Sequence, residues 1–240
     1  MVMTSTSISQ ETLSILKNFS QLNSNLLVRP GNVINTVTGA KNVMAQATVQ
    51  EDFPVEFGIW DLNKFLGTLS LFDSPTCVFG EKSVKISGEG GRAVTYYYSE
   101  PSLLTTINKQ VQMPETVINL SLTQSVFADL QRAASVLQLP DLSFTSMDGE
   151  NILAVVRDKK DPTSNDYSVA VGDVLGDTPN FEFNFKIDNL KLLPGDYDVE
   201  ICESVVSSFT NTNIDVKYWI ALETDSTFNA WLRIDNDRCE

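Results

Sequence analysis

Ser7-Ile8-Ser9-Gln10 and Ser121-Leu122-Thr123-Gln124 stand 114 residues apart and share one Ser-x-x-Gln pattern. In a capping box of this kind a hydroxyl and an amide satisfy orphan backbone groups at a helix start. Alternative caps at Ser9 and Thr123 preserve the same equivalence. The residues that follow also correspond: Leu13, Leu16 and Leu22 match Phe127, Leu130 and Val136. A chain that starts a helix twice at matched places is constrained to fold as two related halves.

Both segments are amphipathic at the helical period. In the first, Leu13, Ile15, Leu16, Phe19 and Leu22 share one side, and Ser14, Lys17, Asn18 and Gln21 the other. In the second, Val126, Phe127, Leu130, Ala133, Ala134 and Leu137 form the apolar side, opposite Ala128, Gln131, Arg132 and Ser135.

A second correspondence lies further along. Phe57-Gly58-Ile59-Trp60-Asp61 leads into Leu62–Leu66, as Phe183–Ile187 leads through Asp188 into Asn189–Leu192. Each reads as a strand running into a short helix begun by Asp, a good N-cap. Pro194-Gly195 would stop the later one. Between the helices the pattern is β. Asn25–Pro30, Val33–Thr38 and Val43–Val49 read as strands, as do Val84–Ser87 and Ala93–Tyr98 around Gly88-Glu89-Gly90-Gly91. Leu142–Met147 and Ile152–Val156 flank Asp148-Gly149, a hairpin signal, and Tyr167–Val171, Tyr197–Cys202 and Val216–Leu222 complete the set. The expected fold class is therefore α+β and duplicated. Domains are expected at residues 1–100 and 115–227, with a connector at 101–114 and a tail at 228–240.

Composition narrows the function. The chain has no histidine, which removes Ser-His-Asp and Cys-His nucleophile systems, His-ligated metals and the commonest general base near neutral pH. Cys77, Cys202 and Cys239 are odd in number and widely spaced, offering neither a disulfide framework nor a metal spacing and fitting a reducing cytoplasm. No apolar run is long enough to span a bilayer, and the first residues carry neither a basic nor an apolar leader region, so a soluble intracellular protein is expected. The formal charge of −14, from 31 acids against 17 bases, opposes simple phosphate binding. Any reading that involves nucleic acid must account for that sign.

Other candidate sites have plainer explanations. Tyr96-Tyr97-Tyr98 could stack bases, but aromatics are equally expected on a strand with alternate rings in the core. The glycines at 88–91 precede a strand rather than a helix N-terminus, so a hairpin turn is expected and not a phosphate loop. Glu51 with Asp52, Asp158 with Asp161, and Asp235 with Asp237 lack an orienting partner and are expected on exposed loops and the tail. Cys77 and Cys202 read as small buried hydrophobes on strands. No catalytic residue, metal or cofactor is expected.

Several blocks resemble the sliding clamps of T-even-type bacteriophages. They are Leu16-Lys17-Asn18-Phe19 with Asn23-Ser24; Asp61-Leu62-Asn63-Lys64-Phe65-Leu66-Gly67 with Leu69-Ser70-Leu71; and Asn108-Lys109 with Pro114. They continue with Phe183-Asn184-Phe185, Leu193-Pro194-Gly195-Asp196-Tyr197, and Ala221-Leu222-Glu223 with Asp225-Ser226-Thr227. Each alone is a weak signal; their order along residues 7–227 is what carries the resemblance.

The resemblance implies two similar domains, each with two helices packed on antiparallel sheets. It implies a homotrimeric ring with helices lining a hole for duplex DNA. An ATP-driven clamp loader would open it, DNA polymerase would be tethered to it, and in some phages late-transcription factors use it as a coactivator. The setting implied is the cytoplasm of an infected bacterial host, with no membrane role.

A ring also accommodates the acidity. Acids on an outer rim are screened from the hole over a Debye length of about 8 Å at physiological salt. The bases expected on or near exposed helix faces, and so facing DNA, are Lys17, Lys64, Arg132 and Lys191; the plain alternative is four solvated helix residues. The expected lining of a partner-peptide pocket is Val43, Met44, Leu103, Ile107, Val111 and Cys202, although the family carries aromatic residues where Val43 or Met44 and Cys202 fall. Ring closure is expected by adding an edge strand of one subunit to the sheet of the next. The tail extends past the family's usual end. Two rivals remain. A monomeric acidic protein-binding module, mimicking DNA charge, predicts no ring. A carboxylate-based hydrolase predicts turnover abolished by one Asp or Glu substitution.

Overall fold

Ser9, not Ser7, starts the first helix. In the computed structural model, which describes residues 5–107, 111–147, 149–174, 178–203 and 206–229, Ser9 has extended backbone and its side chain accepts the Thr12 N–H at 3.2 Å. Thr123 does the same for the Val126 N–H at 3.4 Å. Ser7 and Ser121 are held instead in strands, β1 (Ser5–Ser7) and β9 (Thr116–Leu122), whose ladder leaves them no capping role. The repeat at the helix starts is real, but its caps are the residues directly before the glutamines.

The chain divides into two units, Met1–Gln110 with Asp215–Tyr218, and Val111–Ile214 with Trp219–Glu240. The first contains β1, α1 (Gln10–Leu22), β2 (Leu26–Val28), β3 (Gly31–Val37), β4 (Val43–Phe53), β5 (Phe57–Ile59), α2 (Leu62–Leu69), β6 (Thr76–Phe79), β7 (Ser83–Ser87) and β8 (Ala93–Tyr97). β1, β6, β7 and β8 form an antiparallel sheet in that order, β3 pairs with β4, and β2 with β5. α1 packs on β4 and α2. Ile15, Leu16 and Phe19 from α1 and Leu62, Phe65 and Leu69 from α2 are buried, as an apolar stripe on a helix requires. Phe53, Phe57 and Phe79 pack ring against ring, and Phe57 also meets Tyr98 at 5.4 Å.

The second unit contains β9, α3 (Gln124–Leu137), β10 (Asp141–Ser146), β11 (Asn151–Arg157), β12 (Tyr167–Asp173), β13 (Asn180–Lys186), β14 (Tyr197–Cys202), β15 (Val206–Asn211) and β17 (Thr227–Asn229). The strand β16 (Val216–Ala221) gives its first three residues to the first unit and the rest to the second. β12, β11, β10, β13 and β17 form one antiparallel sheet, and β9, β14 and β15 lie side by side. α3 packs on β11 and β12. Phe144, Phe185, Phe209 and Tyr197 are buried, with ring centroids 5.8–6.5 Å apart along that series. Phe228, the first residue of the expected tail, lies in β17 opposite Phe181. The expected hairpin at Asp148-Gly149 joins β10 to β11, which pair antiparallel, although Asp148 lies outside the described residues. Asn108-Lys109, Asp235, Asp237 and Cys239 lie outside them too.

Four expectations need correction. The fourth helix is only one 3-10 turn, Ile187–Asn189, with no side-chain cap. Ile187 N–H is tied to the Pro140 carbonyl at 2.9 Å, buried Leu190 already leaves helical geometry, and Gly195 takes φ +151° just beyond, so no room remains for a second turn. Asn18, placed by periodicity on the wet side of α1, is buried. Glu51, expected on an exposed loop, is 6% exposed within β4 and accepts hydrogen bonds from Ser9 N–H and the Thr12 hydroxyl. At the far end of α3, Val136 is 75% exposed and Leu137 is also exposed, because Gln138 turns left-handed at φ +56° and leads the chain away.

Candidate nucleic-acid interface

The outward faces of the helices are polar and close to neutral. α1, α2 and α3 together carry three bases, Lys17, Lys64 and Arg132, against two acids, Glu11 and Asp129. The remainder of the chain therefore holds the whole acid excess. Serine, glutamine and asparagine fill most other outward positions, among them Ser14, Gln21, Asn63, Ser125, Gln131 and Ser135.

The four candidate bases are all exposed. Lys64 sits in the first turn of α2, is 81% exposed at its side chain, and bridges to the capping Asp61 at 3.3 Å. Arg132 pairs one turn back with Asp129 at 3.0 Å. Exposed pairs of this kind contribute little in water and leave both side chains able to exchange partners with a passing phosphate. The Lys64 backbone N–H, 3.0 Å from Asp61 Oδ1, is the chief cause holding that carboxyl below the usual range. Lys17 is exposed on α1, whereas Lys191 follows the 3-10 turn and stands on no helix.

The residues expected to line a peptide pocket have different surroundings. Val43 and Met44 are buried at the start of β4. Cys202 is buried too, its thiol donating to the Val206 carbonyl at 2.8 Å. Leu103 is 62% exposed, and Ile107 and Val111 are half-buried.

The tyrosine run follows strand alternation. Tyr96 packs edge-on against Phe65 at 5.1 Å and Tyr98 is half-buried against Phe57, while Tyr97 faces solvent. Burial pushes the Tyr98 hydroxyl up to about 12 and the Cys77 thiol up to about 11, so neither ionises at neutral pH. Among the described residues no group of three or more Cys, Asp or Glu side chains is arranged to hold a metal ion. No described helix is long and apolar enough to cross a membrane.

Carboxylates that support the helix starts were invisible to spacing. Besides Glu51 at α1, Asp196 accepts the Gln124 N–H at 2.7 Å at the start of α3. Both arrive from distant strands or their flanks, so only tertiary structure reveals them.

The fold is that of the DNA clamps. The PCNA of Thermococcus kodakaraensis superposes with a TM-score of 0.65 over 91% of this chain and 99% of its own, at 10% identity. A chain of the PCNA2–PCNA3 complex from Sulfolobus tokodaii gives 0.68 over 92% and 100%, at 11% identity. Sequence places it more closely. Residues 9–99 match the family model for the DNA polymerase processivity factor, and residues 119–224 that for the gp45 sliding clamp, C terminal. The sliding clamp of Vibrio phage KVP40 is 29% identical over 220 residues, covering 90% of this chain and 98% of that protein. That of Escherichia phage RB69 is 28% identical over 228 residues, covering 92% and 98%. The chain belongs to the phage sliding-clamp family of DNA polymerase processivity factors.

Proposed function

We propose that three copies of this chain close into a ring around duplex DNA and hold the replicative DNA polymerase at its template. The ring has no catalytic activity of its own; its work is mechanical. An ATP-driven loader opens it, and late-transcription factors are a second class of client. It operates in the cytoplasm of the infected bacterial cell.

The observation that carries this reading is the contrast between nearly neutral helix faces and a chain of charge −14. A topological link needs no tight grip. Residence on DNA then follows from ring closure, while weak contacts keep sliding fast. Lys17, Lys64, Arg132 and Lys191 meet phosphates transiently, directly or through water, and the paired acids Asp61 and Asp129 limit how strongly two of them hold. Acids elsewhere repel duplex from the outer surface. Partner peptides dock at the exposed Leu103 with the half-buried Ile107 beside it in sequence.

Light scattering with small-angle scattering across a dilution series tests the ring. A species near three times 26.6 kDa with an annular profile is expected. A compact monomer at every concentration would remove the ring and leave an acidic protein-binding module.

A further inference from the structure

We propose that Asn25 is a positioning residue for partner docking: it fixes the short turn that displays Leu103, so that an apolar group of the partner meets a preset contact. This rests on the reading that places docking at Leu103, and says what holds that side chain in place. Leu103 is 62% exposed, whereas its neighbour Leu104 is buried. Both belong to one 3-10 turn, Pro101–Leu103 and its cap, in which Leu103 N–H donates to the Glu100 carbonyl at 3.0 Å and Leu104 N–H to that of Pro101 at 3.1 Å. A lone exposed leucine is ordinary. What sets this one apart is how its backbone is tied on both sides.

Both ties go to the two-stranded ladder of β2 and β5. Upstream, Ser99 N–H donates to the Gly58 carbonyl of β5 at 2.9 Å. A Cβ at Gly58 would collide with the Ser99 carbonyl and stand 2.8 Å from Leu104 Cδ1, so the missing side chain is what lets the turn and its buried leucine lie this close. Downstream, Thr105 N–H donates to Asn25 Oδ1 at 2.9 Å, and Asn25 directly precedes β2. Leu27 of β2 stands opposite Gly58. The ladder therefore sets the spacing of the two ties, and the turn between them has one span to close.

Asn25 is itself held in line. Its N–H donates to Asn23 Oδ1 at 3.1 Å. Asn23 Nδ2 in turn donates to the Val37 carbonyl at 3.0 Å and to that of Thr105 at 3.4 Å, and Asn23 N–H bonds the Phe19 carbonyl at 2.9 Å at the end of α1. Asn23 thus joins the ends of α1 and β3 to the segment that carries Leu103. Asn25 supplies an acceptor for a backbone donor outside any strand ladder. Without it Thr105 N–H would turn to water, and the turn would have to be ordered on binding, which lowers affinity.

Titration of the full-length protein with the purified replicative polymerase of the same phage tests this. Asn25→Ala is expected to weaken binding about fivefold at unchanged assembly mass. Asn25→Asp, which keeps an oxygen for Thr105 N–H, is expected to bind within about twofold of the parent. In a Leu103→Ala background, Asn25→Ala is expected to add less than about twofold, because no exposed leucine remains to be positioned. In the parent, Thr105 N–H is expected to exchange with solvent at least about tenfold more slowly than an open amide. A loss from Asn25→Ala that is equally large without Leu103 makes Asn25 a general support of the fold and overturns the proposal, as does parent-like binding by Asn25→Ala. Exchange of Thr105 at the open-chain rate overturns it on the parent alone, even if Asn25→Ala does not fold. Parent-like binding by Leu103→Ala is a different failure: it removes the docking reading and this proposal with it, while protection of Thr105 persists.

Discussion

The Tyr218 hydroxyl donates a 2.8 Å hydrogen bond to Oδ1 of Asn18 across 200 residues of chain, and both side chains are buried in the first unit. The backbone repeats the link, with Thr48 N–H donating to the Asp215 carbonyl at 2.9 Å. A segment from near the end of the chain is thus built into the unit formed by its beginning. An α1 side chain that periodicity assigns to water serves as the receiving partner.

Tyr218→Phe should therefore destabilise the protein without changing its fold. Removing the donor takes one hydrogen bond from a buried amide oxygen, a loss of about 0.5–1.5 kcal/mol. For a chain of this length the thermal midpoint should fall by about 2–4 °C per kcal/mol. Scanning calorimetry of the two proteins checks this. An unchanged midpoint would mean that Asn18 is satisfied without the hydroxyl.

Glu51 makes the start of α1 sensitive to acid. Burial pushes its carboxyl up, but hydrogen bonds from Thr12 and Ser9 together outweigh burial and leave it below the usual carboxylate range. A carboxylate with a depressed folded pKa contributes stability that is present above its unfolded pKa and lost as pH falls through the folded one. Glu51→Gln should be less stable than the parent at pH 7, and that difference should shrink as pH drops below about 4. Melting curves of both proteins from pH 7 to 3 decide it. A difference independent of pH would assign the effect to packing instead.

What the residues disclosed and what they hid follow one physical division. Local signals told true: the helical period of α1 and α3, Asp61 at the start of α2, and the glycines between β7 and β8 all act within a few residues. Hidden features depend on partners brought from afar. Glu51 looks like any surface acid until β4 carries it under Ser9, and Asn18 looks wet until Tyr218 arrives. At Ile187–Asn189 the local signal for a helix was genuine, but the bond to Pro140 and the turn at Gly195 stop it after one turn. For the site, the helix faces were legible as polar with scattered bases, whereas the pairing of Lys64 and Arg132 with local acids was not. The candidate pocket mixed core and surface because a hydrophobic residue at a strand start reads the same in either place.

Leu103 offers a clean test of partner docking because its side chain is largely in water and its loss leaves no cavity. Leu103→Ala should keep the mass and melting behaviour of the parent. Polymerase tethering in a pull-down or a primer-extension assay should weaken by about tenfold, the scale of a buried apolar anchor at an interface. Unchanged tethering would move the docking surface elsewhere.

The helix faces can be tested by reversing charge where the fold does not depend on it. Lys17 and Lys64 are exposed, and the bridge from Lys64 to Asp61 contributes little in water. Lys17→Glu with Lys64→Glu should leave ring mass and melting temperature close to the parent. In the ring it would place six added acids around the duplex in exchange for six bases. Loading and processive synthesis should then fall by an order of magnitude or more at low salt, and the gap should narrow as salt rises and screens the repulsion. Arg132→Glu should act in the same direction but less strongly, because Asp129 already offsets part of its charge. Product length on a primed circular template, measured across a salt series, separates the outcomes. If the double reversal left product length untouched at low salt, the outward helix faces would not be the surface that meets DNA.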